Sequence, residues 1–134
     1  MLSPSKLGKE LFLYLVVSQT AVSSALILEE LKIQRPVYYT SQAFQGTEVR
    51  YPRIEKMAFA LIVASRKLRP YFQDHTIFVM MNQPIRKAMS RLDVVGRMVQ
   101  WAVELSQFDI DYKPQTAMKA QTLADFVTEF TMTD

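Results

Sequence analysis

The segment Thr76-Ile77-Phe78-Val79-Met80-Met81 is apolar from its second residue onward and has none of the alternation of a strand that keeps one face wet. Such a strand needs cover on both faces, which places it at the centre of a sheet with material layered on each side. The rest of the chain has to supply its neighbours and its cover. Residues 11 to 18 and 21 to 28 are short apolar runs separated by Gln19-Thr20, and their length and β-branched content predict a hairpin. After the charged turn Glu29-Glu30-Leu31-Lys32, the stretch Pro36-Val37-Tyr38-Tyr39-Thr40-Ser41 reads as a third strand, with Pro36 at its entry where no ladder donor is needed. Three strands this close in sequence imply an antiparallel meander.

Helical periodicity begins after Gly46. Ile54, Met57, Ala58, Leu61, Ser65 and Leu68 recur at the three- and four-residue spacing of an inward stripe, with Pro52 in the first turn and Pro70 ending the helix. Pro84 opens a short helix through Met89. A second long helix is predicted over roughly 95 to 107, with Val95, Met98, Val99, Ala102 and Leu105 on one face, Gly96 near its start and Trp101 as a core anchor. Phe108-Asp109-Ile110-Asp111-Tyr112 alternates fully and predicts a half-buried edge strand ended by Lys113-Pro114. Leu123, Phe126, Val127 and Phe130 form the stripe of a terminal helix. A strand that follows a helix back into the sheet usually runs parallel to its neighbour through a right-handed crossover. The expected architecture is an α/β layer fold, a mixed five-stranded sheet with helices packed on it.

Composition excludes several kinds of function. Hydrophobic residues make up 49% of the 134 positions, and Gly and Pro number only 3 and 6, so residues 1–134 are expected to form a single domain with a real core. The absence of cysteine rules out disulfide scaffolds, cysteine-based zinc sites and thiol nucleophiles. The one histidine, His75, stands beside Asp74 in a turn and reads as a loop residue, and Met80 and Met81 read as strand core rather than a metal pair. A net charge of +3 permits contact with nucleic acid without requiring it. Lys6 and Lys9 before the run Leu11–Val17 imitate a secretory signal, but Glu10 abuts the run and apolar character resumes at Ala25, so strands explain the letters better. The expected location is intracellular, in cytoplasm or nucleus, with no membrane association.

Five segments carry a resemblance: Leu13-Tyr14-Leu15-Val16-Val17-Ser18, Gln34-Arg35-Pro36-Val37-Tyr38-Tyr39-Thr40-Ser41, Tyr51-Pro52-Arg53-Ile54-Glu55-Lys56, Arg66-Lys67-Leu68-Arg69-Pro70-Tyr71-Phe72 and Leu123-Ala124-Asp125-Phe126. In order and spacing they are similar to the RNase H region of gypsy-class LTR retrotransposon polyproteins. The plant lineage is the nearest in flavour, where such a domain lies between the reverse transcriptase and a second, active RNase H and looks like a connection or tether module. The resemblance implies an RNase H-like sheet in the order 3-2-1-4-5. It also implies a magnesium-dependent ancestor, in which clustered carboxylates hold two ions that activate water and stabilise the leaving oxygen.

Carried over position by position, the family's carboxylates are gone. The first-strand Asp corresponds to Val16, the first-helix Glu to Met57, and the fourth-strand Asp to Asn82; only Asp125 survives. The expectation is a chain with no catalytic residues, no metal site, no cofactor and no cleavage of RNA/DNA hybrids. Val16 and Met57 are expected to pack against each other across the strand-to-helix interface. Asp125 has two readings, a catalytic remnant or an ordinary acid on the polar sector of the terminal helix. The basic residues Arg50, Arg53, Lys56, Arg66, Lys67, Arg69, Arg86 and Lys87 also have two. They grip phosphates, with Tyr38, Tyr39, Tyr51 and Tyr71 stacking on bases, or they are solvated faces paired with Glu48, Glu55 and Asp93. The leading expectation is a scaffold or protein-interaction module with a protein partner or self-association. The alternative is weak nucleic-acid binding without cleavage, and residual ribonuclease activity comes last.

Overall fold

The computed structural model describes residues 9–81 and 96–114. Five strands form one sheet: β1 (Lys9–Val17), β2 (Ala21–Glu30), β3 (Ile33–Ala43), β4 (Ile77–Met80) and β5 (Ile110–Lys113), in the order β3-β2-β1-β4-β5. The first three make the antiparallel meander, while β4 runs parallel to both β1 and β5. Among the described residues three helices accompany them: α1 (Arg53–Lys67), α2 (Arg69–Asp74) and α3 (Arg97–Leu105). A 3-10 turn at Gly46–Arg50 leads into α1. The expected short helix opened by Pro84 and the terminal helix carrying Leu123, Phe126, Val127 and Phe130 lie outside the described residues.

Strand parity sorts the core. On β1, Leu11, Leu13 and Leu15 join Ile77 and Val79 of β4 in the cluster under α1, whereas Phe12 and Tyr14 join Ala25, Ile27 and Met80 on the opposite face. Burial on both faces explains why β4 shows no polar alternation. The same requirement makes β1, the run that imitates a secretory signal, a strand hydrogen-bonded on both sides. Helix α1 is buried continuously from Met57 to Ser65, and its alanines at 58, 60 and 64 let it approach its neighbours closely. Ser65 satisfies its hydroxyl on the Ile62 carbonyl at 2.8 Å, so the polar residue costs the core little. No described helix is long and apolar enough to cross a membrane.

Four expectations change. β3 begins at Ile33, and Pro36 sits within it beside an irregularity in the β2 register, a position that an edge strand tolerates. The β2–β3 turn is tighter than expected: Leu31 and Lys32 both adopt positive φ, 53° and 66°, where Asn and Gly are the usual occupants. Pro70 does not merely end α1; it occupies the first turn of α2, where its missing N–H has no intrahelical partner to lose. In α3 the buried face is Met98, Trp101 and Leu105, and Val99 is 47% exposed, because the indole rather than the valines sets the rotation of the helix.

Candidate functional site

Parallel strands tend to place ligand sites at their carboxyl ends, and β1 and β4 are parallel neighbours. Val16, the penultimate residue of β1, is half-buried and packs against the Phe12, Tyr14, Ala25, Ile27 and Met80 cluster. Met57 is 5% exposed and belongs to the cluster under α1. The expected contact between them is therefore corrected: they fill separate cores on opposite faces of the sheet, since even-numbered residues of β1 point away from α1. Neither side chain carries an oxygen. Asn82 and Asp125 lie outside the described residues. Among the described residues no group of three or more His, Cys, Asp or Glu side chains is placed to hold a metal ion.

A cavity opens at Val17 and Lys56, the sequence neighbours of Val16 and Met57. Val17 at the end of β1, Ser18 and Gln19 from the β1–β2 turn and Arg53 and Lys56 from the first turn of α1 line a space of about 280 Å³ that is open to solvent on one side. The turn is held by Ser18, whose Oγ accepts the N–H groups of Thr20 and Ala21 at 3.2 and 3.0 Å and donates to the Ala21 carbonyl. Phe44, anchored by its N–H on the Thr20 carbonyl, lies under Lys56, whose Nζ stands 4.9 Å from the ring centroid. Ser18 and Gln19 were not singled out by sequence reasoning. The polar break they form at the end of the apolar run, directly after Val17, was the available signal.

The basic residues separate into two groups. Arg66 makes a bidentate pair with Glu104, both N–O distances 2.9 Å, which holds the guanidinium above its usual pKa and the carboxyl below the usual carboxylate range. Lys67 donates to the Ser41 carbonyl at 2.8 Å, and Arg69 reaches Gln107 and lies over the Phe108 ring. These three fasten α1 and α2 to the rest of the domain. Arg50, Arg53 and Lys56 have no carboxylate partner among the described residues. The expected pairing with Glu48 and Glu55 does not form, because Glu48 accepts the Gln45 N–H and Glu55 is held by Arg97. Arg86, Lys87 and Asp93 lie outside the described residues.

The tyrosines expected to stack on bases are mostly committed elsewhere. Tyr51 packs edge-on to Phe59 and lies 4.1 Å under the Arg97 guanidinium, with Trp101 5.8 Å from Phe59. Tyr71 packs against the core under α1 and Tyr39 against the opposite cluster, leaving Tyr38 as the exposed one at 52%. Trp101 is the core anchor its sequence position predicts, at 8% exposure. His75 is the C-cap of α2, its N–H donating to the Tyr71 carbonyl.

Comparison with solved structures shows the same fold at low sequence identity. A foamy viral protease-reverse transcriptase in complex with double-stranded DNA matches with a TM-score of 0.57 and 16% identity over 81% of this chain. The native protease-reverse transcriptase of prototype foamy virus matches with a TM-score of 0.61 and 16% identity over 81%. This chain spans only 20% and 15% of those two proteins. LC11-RNase H1, in complex with an RNA/DNA hybrid, matches with a TM-score of 0.54 and 12% identity over 82% of this chain and 88% of its own. No curated protein matches by sequence. The model of the RNase H-like domain found in reverse transcriptase matches residues 6–108, more than half of the sequence, and with the sheet order β3-β2-β1-β4-β5 it shows that the chain belongs to that family.

Proposed function

We propose that this chain is a non-cleaving member of its family that serves as a scaffold or protein-interaction module, of the connection or tether type found in gypsy-class retrotransposons of the plant lineage. The observation that carries the reading is the occupancy of Val16 and Met57. Both stand where the resemblance places metal-binding carboxylates, and both are hydrocarbon or thioether groups packed into apolar clusters. Two-metal phosphodiester cleavage needs several hard oxygen ligands around a pair of closely spaced divalent ions. Asn82 offers one neutral oxygen and Asp125 one carboxylate, too little to hold two such ions. Calorimetric titration of the chain with Mg²⁺ and Mn²⁺ tests this: no saturable binding is expected, and a tight stoichiometric site would refute it. Light scattering on the eluting protein tests self-association, and a strictly monomeric species would remove that form of the scaffold reading.

A second reading is favoured by a different observation. Arg50, Arg53 and Lys56 stand together in sequence without carboxylate partners among the described residues, and such cations bind phosphates irrespective of sequence. In this reading the chain holds a duplex or RNA/DNA hybrid without cutting it. Salt-sensitive binding to a labelled hybrid is its signature, and a flat titration at low salt would discard it.

A further inference from the structure

We propose that the cavity between the β1–β2 turn and the first turn of α1 binds a phosphate group directly on Arg53 and Lys56, with no metal ion between protein and ligand. Among the described residues its lining is Val17, Ser18, Gln19, Arg53 and Lys56, none of them acidic. The acid nearest in sequence, Glu55, is engaged by Arg97 and does not neutralise the pair. Lys56 is steadied by the Phe44 ring, which leaves its ammonium donors available. The helix adds to the same field: α1 has 15 residues, and its N-cap is Pro52, which supplies no side-chain cap to the first N–H groups. Two cations at the positive end of a helix oppose its dipole, an arrangement that a bound anion relieves.

Size and composition narrow the ligand. About 280 Å³ sits at the lower edge of small-molecule pockets, enough for one phosphate with its nearest waters or its ester carbon. No aromatic residue among the described residues lines the cavity, so these residues offer no platform for a base and recognise the phosphate alone. The same chemistry is offered by a free phosphate ion and by a phosphate of a nucleic-acid strand. Val17 and Lys56 are the immediate neighbours of Val16 and Met57. Locating the cavity at a former cleavage site thus rests on the inactive reading above, whereas the phosphate contact rests on the cavity and its charges.

The test is a titration of the full, isotope-labelled chain with inorganic phosphate in chelator, at constant ionic strength, following backbone amide shifts. Saturable shifts centred on Ser18, Gln19, Arg53 and Lys56 are expected, weakened at least about tenfold by Arg53→Gln/Lys56→Gln. Lys32→Gln/Arg35→Gln, which removes two charges at the other end of the hairpins, should leave the affinity unchanged. If the double variant loses its dispersed spectrum, the exposed Arg53→Gln alone carries the comparison. Unsaturable shifts, or shifts that survive these substitutions, overturn the proposal. Binding that appears only with Mg²⁺ overturns it together with the inactive reading, whereas no binding with or without Mg²⁺ overturns the phosphate site alone. Thymidine oligonucleotides with and without a 5′-phosphate then identify the source. Competition by both indicates backbone phosphates, by the phosphorylated strand only indicates a terminus, and by neither indicates the free ion.

Discussion

At the C-terminal end of α1, Arg66 and Lys67 are drawn onto Glu104 and the Ser41 carbonyl; at its N-terminal end, Arg53 and Lys56 face a cavity lined by no acid among the described residues. The two ends look alike as sequence, basic residues spaced along one amphipathic helix. What separates them is the partner brought by α3. Glu104 lies opposite the last turn of α1, while at the first turn α3 presents Arg97, which takes Glu55 away from its neighbours. Charge at one end is therefore spent on holding the fold, and charge at the other remains available to a ligand.

Substitutions can break this contrast at several levels. The largest effect is expected at the aromatic group that joins the two helices: Trp101→Ala should cost about 3 to 5 kcal/mol in denaturant unfolding, because Phe59 and Tyr51 lose their packing partner. A loss much below that range would mean that α3 does not fix the position of α1. Next comes the opposite face of the sheet, where the buried Tyr14 hydroxyl has no hydrogen-bond partner among the described residues; burial first, and Glu29 second, hold its pKa above the usual phenol value. Gln34 lies near enough to offset this slightly without meeting hydrogen-bond geometry. Tyr14→Phe should thus be neutral or stabilising by about 1 kcal/mol, and a clear destabilisation would reveal a partner for that hydroxyl.

The two ends of α1 themselves should respond with opposite signs. A double-mutant cycle on Arg66→Ala and Glu104→Ala should yield a coupling of about 0.5 to 1 kcal/mol, limited by solvent exposure of the pair. Since hydrogen bonding to Arg66 lowers the folded pKa of Glu104, this contribution is complete above the ordinary carboxylate range and is lost as pH falls through the lower folded value. A coupling that persists at still lower pH would contradict an ionic origin. Arg53→Gln should be the smallest effect, a gain of a few tenths of a kcal/mol in the absence of phosphate, because it removes a cation from the positive end of the helix. A loss of stability there would show that Arg53 is structural, like Arg66.

Much of the fold was legible because local pattern decided it. The apolar run of β4, the hairpin of β1 and β2 and the stripe of α1 each reflect burial that neighbouring letters already encode. The errors cluster where proline or a single large residue overrides pattern. Pro36 sits inside an edge strand, Pro70 begins a helix, and Trp101 rotates α3 away from the face suggested by its valines. Val16 and Met57, the positions where the resemblance places carboxylates, were visible in the sequence, yet their separation by the sheet required counting parity along β1. Least legible was the division of the basic residues. Arg66 and Glu104 are 38 positions apart, and nothing local to either marks the other as its partner.

The central claim is that the substitutions at Val16, Met57 and Asn82 have ended hydrolysis in a fold otherwise retained. Its most direct test is incubation of the chain with a labelled RNA/DNA hybrid in Mg²⁺ or Mn²⁺, beside a metal-free control. The account predicts no cleavage above that control; metal-dependent cutting that Asp125→Ala abolishes would contradict it.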